Sequence, residues 1–109
     1  MESVDKIQEA VLGEIGRRLV ARFAPRRIVL YGSRATGNAR PDSDYDLLIV
    51  WRDESPPSAR AATVRQVLLD LGAALDIAVV TPREYERFRN RRLHLVAVAD
   101  REGRVLHAA

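Results

Sequence analysis

The chain has 109 residues, of which 47% are hydrophobic and 30% are charged. This composition is that of an ordinary globular domain and excludes a disordered chain, so we expect residues 1–109 to form a single domain. The absence of cysteine excludes disulfides, thiolate metal sites and cysteine nucleophiles.

Two further observations concern location and charge. No apolar run is long enough to cross a bilayer and the acidic start lacks the basic segment of a signal peptide, so a cytoplasmic location is expected. The net charge is +3, and Lys6 is the only lysine, so the positive charge is almost entirely arginine. Arginine suits phosphate recognition, but an arginine- and alanine-rich composition equally reflects genome base composition.

Hydrophobic periodicity and turn residues predict the regular elements in chain order. The first half contains a helix over residues 4–23, a strand over 28–31, a loop over 33–43 that leaves open a helical turn at its start, and a strand over 44–51. The second half contains a helix from 57 to about 74, a strand over 76–80, a helix from 82 towards 99, a turn over 100–103 and an edge strand over 104–107.

Several residues mark the ends of these elements. Ser3 is the predicted N-cap of the first helix, which Pro25 should stop by about residue 24. Thr81 and Glu84 have the spacing of a capping box at the start of a later helix. The order of helices and strands predicts an α/β or α+β fold, with a small mixed sheet and helices packed on it.

The second predicted strand carries two aspartates. Asp44 and Asp46 are two residues apart, and the strand period of two places their carboxylates on the same side. Neighbouring carboxylates oppose each other's ionisation, and a divalent metal relieves that conflict. Mg²⁺ fits, because it is commonly held by one or two carboxylates together with substrate phosphates.

A third aspartate begins another apolar strand. Asp76 occupies a position where a buried sheet rarely carries a charge without a function. Three carboxylates can hold two metal ions about 3.5 to 4 Å apart, as in two-metal phosphoryl-transfer sites. We therefore predict a metal site formed by Asp44, Asp46 and Asp76.

A phosphate-binding segment precedes these aspartates. Gly32 and Ser33 follow a buried strand, so free backbone N–H groups and the Ser33 hydroxyl can bind a phosphate. Arg34 and Arg40 lie on the following loop and are candidate triphosphate ligands, because the guanidinium fork matches phosphate oxygens.

The combined spacing resembles a known superfamily. Gly32-Ser33, ten intervening residues, Asp44-Tyr45-Asp46 and the later Asp76 resemble the DNA polymerase beta nucleotidyltransferase superfamily. The stretch GSRATGNARPDSDYDLLIV is similar to its minimal, single-domain branch in prokaryotes, the MNT proteins. The likeness extends over nearly the whole chain in element order and length, although relatives often carry a basic residue in place of Thr36.

This resemblance implies a nucleotidyltransferase fold and an activity. Asp44 and Asp46 would bind both Mg²⁺ ions, Asp76 would help bind one and promote deprotonation of the attacking hydroxyl, and Gly32 with Ser33 would hold the triphosphate of ATP. MNT proteins are often antitoxins of HEPN-domain RNase toxins, and some transfer AMP to a toxin tyrosine. The resemblance therefore implies a HEPN toxin as the protein partner.

Alternatives remain open at this stage. The chain is either an AMP-transferring antitoxin, a non-catalytic antitoxin that acts by contact, or a nucleotidyltransferase for a small molecule or RNA end, and a homo- or hetero-oligomer is compatible with each. Tyr31 is interpreted as packing, and His94 and His107 receive no metal role. The arginines of the last predicted helix form either a solvated face or a docking surface for an acidic partner or RNA. They are Arg83, Arg87, Arg89, Arg91 and Arg92.

Overall fold

The computed structural model of the protein describes residues 4–109, so the N-cap predicted at Ser3 lies outside the described residues. The elements are α1 (Val4–Phe23), β1 (Arg27–Tyr31), α2 (Ser33–Thr36), β2 (Tyr45–Val50), α3 (Pro57–Gln66), a 3₁₀ turn (Leu69–Leu71), β3 (Leu75–Val80), α4 (Pro82–Phe88), α5 (Leu95–Glu102) and β4 (Arg104–Ala108). Within the described part of the chain, none of these helices is long and apolar enough to span a membrane.

The four strands form one mixed sheet in the order β3-β2-β1-β4. β1 runs antiparallel to both β2 and β4, whereas β2 and β3 are parallel. A parallel pair requires a crossover connection, and the segment with α3 provides it. The prediction of a small mixed sheet with packed helices is confirmed, and β4 lies at an edge as expected.

Helices cover both faces of the sheet. Successive side chains of a strand point to opposite faces, so Leu47 and Ile49 of β2 pack with residues of α1 and α3 such as Ile15. Leu48 and Val50 pack on the other face with residues of α4 and α5. Burial of each such side chain stabilises the fold by about 1.5 to 3 kcal/mol, and this double coverage explains the continuous apolar sequence of β2.

The first helix ends where the sequence predicts, but the second helix is shorter than predicted. α3 ends at Gln66, not near residue 74, and the chain continues through the 3₁₀ turn to Gly72. Gly72 has a φ of 67°, a left-handed conformation that ends a helical segment. The apolar periodicity of this segment predicts a buried face, and Val64 and Leu68 are buried, whereas Val67, Leu71 and Leu75 are partly buried.

The single helix predicted from residue 82 to 99 is two helices. α4 ends at Phe88 and α5 begins only at Leu95. His94 starts α5, because its ring nitrogen Nδ1 accepts a hydrogen bond from the N–H group of Val96 (3.1 Å), and its ring stacks on Phe88 with centroids 4.2 Å apart. The turn predicted over residues 100–103 is also wrong, since α5 extends to Glu102.

The capping box predicted at the start of α4 is confirmed. The N–H group of Glu84 donates to the Thr81 hydroxyl (3.1 Å), and the N–H group of Thr81 donates to the Glu84 carboxylate (2.8 Å). Because two helices replace one, the arginine run does not lie on the last helix. It is divided between α4 and the connection to α5.

Candidate active site

A row of three polar side chains crosses the sheet from β1 to β3. We call Tyr31, Asp46 and Asp76 the carboxylate row. Tyr31 is paired with Asp46 across the antiparallel β1–β2 contact, and Asp46 is paired with Asp76 across the parallel β2–β3 contact. Paired residues on neighbouring strands point to the same face, with Cβ atoms about 5 Å apart. The register therefore brings Asp46 and Asp76 together, although they are separated by 29 residues in the sequence.

The charges in this row oppose one another. Burial raises the pKa of Asp46, and the negative charges of Asp76 and Asp44 and a hydrogen bond with Asp76 raise that pKa further. Burial and the charges of Asp76 and Asp46 also raise the pKa of Tyr31 to about 12. The Tyr31 hydroxyl therefore keeps its proton at neutral pH, and the carboxylate pair is a site of concentrated negative charge.

Asp44 lies beside this pair but not in the strand. β2 begins at Tyr45 and not at Asp44 as predicted, and Asp44 is exposed. Its charge nevertheless acts on the pKa of Asp46. Within residues 4–109, no three carboxylate or imidazole side chains are already close enough together to hold a metal ion.

Gly32 connects the phosphate-binding segment to the carboxylates. Its φ is +73°, and a Cβ atom placed on it would lie 2.2 Å from the Oδ2 atom of Asp46. An L side chain is unfavourable at this φ, and it would also collide with the carboxylate. Glycine is therefore required at this position by its backbone conformation, and a side chain there would displace the Asp46 carboxylate.

The start of α2 presents unused hydrogen-bond donors. The N–H groups of Ala35 and Thr36 donate to the carbonyl of Gly32 (3.0 and 3.2 Å), whereas the N–H groups of Ser33 and Arg34 have no acceptor among the described residues. The first N–H groups of a helix have no partner within the helix. Adjacent to the carboxylate row, these donors can bind an anionic ligand.

Arg34 is placed differently from the predicted triphosphate ligand. Its side chain is buried, with only 6% of the residue exposed. The guanidinium donates to the carbonyls of Ser43 (2.7 and 3.0 Å) and Pro41 (3.2 Å) and to the side-chain oxygen of Gln8 (3.2 Å), and it lies 3.9 Å from the centre of the Tyr45 ring. These contacts join α1, α2 and the segment that precedes Asp44.

Arg40 remains available on the loop. It is exposed, and its backbone N–H group donates to the Ser43 hydroxyl (2.8 Å). Its guanidinium has no hydrogen bond or ion pair within residues 4–109. Arg40 is therefore the one of the two predicted arginines whose charge is free to meet a ligand in this structure.

Sequence reasoning missed two residues of this region. Tyr31 packs against the core as predicted, but it also belongs to the carboxylate row, and its place directly before Gly32 is the signal for this second role. Gln8 is 8% exposed and both donates to and accepts from Arg34. A polar residue among the apolar positions of α1 was the signal for Gln8.

Cavity volume alone does not identify this site. A groove of about 580 Å³ lies between α1 and β4 and is lined by residues such as Gly13, Gly16 and Val105, with none of the three aspartates. The carboxylate row is shallow and open. We therefore locate the candidate site by its chemistry and register and not by its enclosure.

Comparisons with known proteins show which sequences and folds this chain is similar to. No curated protein matches the chain. A protein from Sulfolobus solfataricus, described as a candidate nucleotidyltransferase, is 25% identical with a TM-score of 0.61, over 80% of this chain and 81% of that one. A toxin–antitoxin structure with AMP-PNP is 19% identical with a TM-score of 0.63, over 90% and 73% of the two chains.

The MntA–HepT toxin–antitoxin structure is 16% identical, with a TM-score of 0.58, over 93% of this chain and 73% of that one. At these identities the two toxin–antitoxin structures show a shared fold. A family model described as a nucleotidyltransferase domain matches residues 12–107. This match covers most of the chain and includes every residue of the carboxylate row, and the chain therefore belongs to the nucleotidyltransferase domain family.

Proposed function

We propose that this chain is an Mg²⁺-dependent nucleotidyltransferase that transfers AMP from ATP to a tyrosine of a HEPN-domain RNase toxin, and so acts as the toxin's antitoxin. The observation that carries the proposal is the direct pairing of Asp46 with Asp76 beside Gly32. The fold shared with the MntA–HepT pair and with a toxin–antitoxin structure with AMP-PNP supports the partner and nucleotide classes.

The aspartates have the chemistry that two Mg²⁺ ions require. Asp46 and Asp76 supply adjacent carboxylates whose mutual repulsion raises the pKa of Asp46, and Asp44 supplies a third. Mg²⁺ prefers such oxygen ligands and shares them with substrate phosphates. When bound, the ions would neutralise the triphosphate and polarise the α-phosphoryl group.

The triphosphate would lie against the start of α2. The unused N–H groups of Ser33 and Arg34 and the Ser33 hydroxyl are donors for phosphate oxygens. Arg40 adds an exposed positive charge from the loop. Arg34 contributes its backbone N–H group, while its guanidinium holds the segment before Asp44 in place.

The reaction exchanges one bond to phosphorus for another. The acceptor tyrosine oxygen forms a bond to the α-phosphorus while the bond from that phosphorus to the bridging oxygen of pyrophosphate breaks. The acceptor's proton passes to Asp76, because this carboxylate is exposed and accessible to a hydroxyl from outside the chain. Tyr31 keeps its own proton at neutral pH, since its pKa is raised to about 12.

A macromolecular acceptor fits the openness of the site. Asp44 and Asp76 are exposed and Asp46 is only half-buried, so the chain encloses no pocket around a small acceptor. A protein partner would instead exclude water and orient its own tyrosine, which are the contributions that positioning makes to such a reaction.

The proposal is tested by incubating the purified chain with ATP, Mg²⁺ and a purified HEPN-domain RNase toxin. Intact-mass spectrometry then measures added AMP units on the partner. Asp46→Asn and Asp76→Asn should abolish the increment, because each removes a carboxylate of the pair. Asp42→Asn is the matched control, since it removes a nearby exposed carboxylate outside the row.

The outcomes separate the alternatives. AMP units that appear with wild type and Asp42→Asn, and are lost in both site variants, support transfer. An unmodified toxin that is inhibited in a stable complex overturns transfer in favour of a binding antitoxin. AMP incorporation into a small molecule or an RNA end, with none in the toxin, overturns the proposed acceptor.

A further inference from the structure

A groove of about 400 Å³ runs along the outer edge of β3. Its lining includes residues 77–80 of β3, with α3 on one side and α4 and the start of α5 on the other. β3 is the terminal strand of the sheet, so within residues 4–109 no strand pairs with this edge. We call this feature the β3 groove.

Backbone groups of β3 lie at the floor of the β3 groove, in Ile77 and Val79, which are 7% and 3% exposed. The N–H group of Trp51, just after β2, donates to the carbonyl of Val80 (2.8 Å). The backbone groups of Val80 therefore face β2. In a parallel pair, alternate residues of a strand face the neighbouring strand, so Ile77 and Val79 direct their N–H and carbonyl groups to the groove. An edge with unpaired backbone groups is a template for an added strand.

The walls of the groove are largely apolar. Phe88, His94 and Leu95 form one wall, and Leu95 is 39% exposed. The carboxylate in the groove belongs to Glu84, which accepts a hydrogen bond from the buried guanidinium of Arg60 (2.8 Å). This acid is therefore neutralised, and the groove contains no uncompensated negative charge among its lining residues.

The rim of the groove is positively charged. Arg87 and Arg91 lie 5.4 and 5.2 Å from the centre of the Phe88 ring, which lines the groove. Neither arginine forms an ion pair within the part of the chain that the structure describes. Complementary charge across an interface orients partners and increases the association rate, so the rim favours acidic side chains in the occupant.

We propose that the β3 groove binds an extended acidic segment of the protein acceptor, which adds as a strand to β3. The inference rests on the proposed function and names where its substrate docks. Asp76 directly precedes Ile77 in the same strand. A strand rises about 3.3 Å per residue. If a segment pairs with Ile77 and Val79, the residue one or two positions beyond the paired part lies next to the carboxylates.

The probe for this inference is a fluorescent synthetic peptide in which glutamate and valine alternate and tyrosine is the last residue. Binding is measured by fluorescence anisotropy without ATP, and by the amide NMR shifts of the ¹⁵N-labelled protein. The expected result is saturable binding with the largest shifts at the amides of Ile77 and Val79. A peptide with lysine in place of glutamate should bind at least about tenfold more weakly.

Two matched pairs of variants test the backbone and charge contributions. Val79→Pro removes the groove-facing N–H group and leaves the bonds to β2, whereas Val79→Ala loses side-chain volume but keeps the N–H group. Only Val79→Pro should weaken peptide binding, by about tenfold for a lost hydrogen bond. Arg87→Glu with Arg91→Glu should weaken binding comparably, while Arg17→Glu with Arg22→Glu on α1 should not.

Each outcome is decisive. Binding that is absent, equal for the two peptides, or unchanged by both Val79→Pro and the Arg87/Arg91 reversal overturns the inference. Binding without ATP does not depend on catalysis, so it remains informative if AMP transfer is never observed. Conversely, transfer to the toxin that is insensitive to Val79→Pro overturns the docking site and leaves the proposed function intact.

Discussion

Asp46 and Asp76 occupy the same position in the register of the only parallel strand pair between residues 4 and 109. The pairing places two carboxylates side by side on one face of the sheet, where burial and the charge of Asp76 raise the pKa of Asp46. An arrangement that costs free energy in the isolated chain is typical of a functional site and not of a structural one.

The first prediction concerns the stability of the protein without divalent cations. Asp46→Asn should increase the free energy of unfolding by up to about 1 kcal/mol, a small effect because the side chain is partly solvated. The reason is removal of a charge that Asp76 and Asp44 disfavour. Urea unfolding in EDTA measures the change, with Asp42→Asn as the control. A less stable Asp46→Asn protein would contradict the repulsion.

The second prediction is the pH dependence of that difference. The pKa of Asp46 in the folded protein is raised above its ordinary value of 3.8. The protonated Asp46 carboxyl therefore contributes to stability at pH values below 3.8, and this contribution is lost as the pH rises through the folded-state pKa. The stability advantage of Asp46→Asn should therefore be small at about pH 3.5 and larger at about pH 7. Chemical unfolding of both proteins across this range measures it. An advantage that shrinks with rising pH would refute the sign.

The third prediction concerns ligand binding. ATP and Mg²⁺ together should raise the Tm of wild type more than either alone, because each neutralises charge that opposes binding of the other. At 100 times the dissociation constant, a ligand stabilises the folded state by about 2.7 kcal/mol. Asp46→Asn and Asp76→Asn should lose the joint effect while Asp42→Asn retains it. The absence of any shift in wild type at millimolar ATP would contradict nucleotide binding.

The fourth prediction compares the two glycines with positive φ in the phosphate-binding segment and the turn that follows it. Gly32 and Gly37 both have positive φ values, +73° and +84°, but only a Cβ on Gly32 meets another atom within 4 Å. Gly37→Ala should cost about 1 to 2 kcal/mol from strain alone. Gly32→Ala should cost more, because φ +73° with ψ −156° is a conformation that only glycine adopts readily, and it should abolish nucleotide binding, because it displaces the Asp46 carboxylate. Thermal unfolding and ATP titration measure both, and unchanged ATP binding in Gly32→Ala would argue against the displacement.

The fifth prediction distinguishes the two arginines of the loop. Arg34→Ala should lower the free energy of unfolding by about 2 to 3 kcal/mol, because the buried Gln8 side chain loses its partner and the part-buried carbonyls of Pro41 and Ser43 lose their donor. Arg40→Ala should leave stability unchanged within about 0.5 kcal/mol and should weaken ATP binding. Urea unfolding and calorimetric titration give the two values. Unchanged stability in Arg34→Ala would contradict the structural role of this side chain and would favour the phosphate ligand predicted from the sequence.

The sequence alone determined the features that depend on near neighbours in the chain. The spacing of Gly32, Ser33, Asp44 and Asp46 indicated the family that the comparison with residues 12–107 establishes, and the capping box at Thr81 was predicted with both of its hydrogen bonds. Such features are legible because the interacting groups lie within a few residues of one another, where backbone geometry alone sets their distance.

Only the tertiary structure decided the features that depend on distant contacts. The order of strands pairs Asp76 with Asp46 and adds Tyr31 to the row, a register that no local pattern encodes. Burial between α1 and the loop turns the side chain of Arg34 inward, although its position in the sequence suggests a phosphate ligand. Contact between His94 and Phe88 accompanies the break between α4 and α5, because packing overrides a continuous helical periodicity when it buries side chains from separate segments.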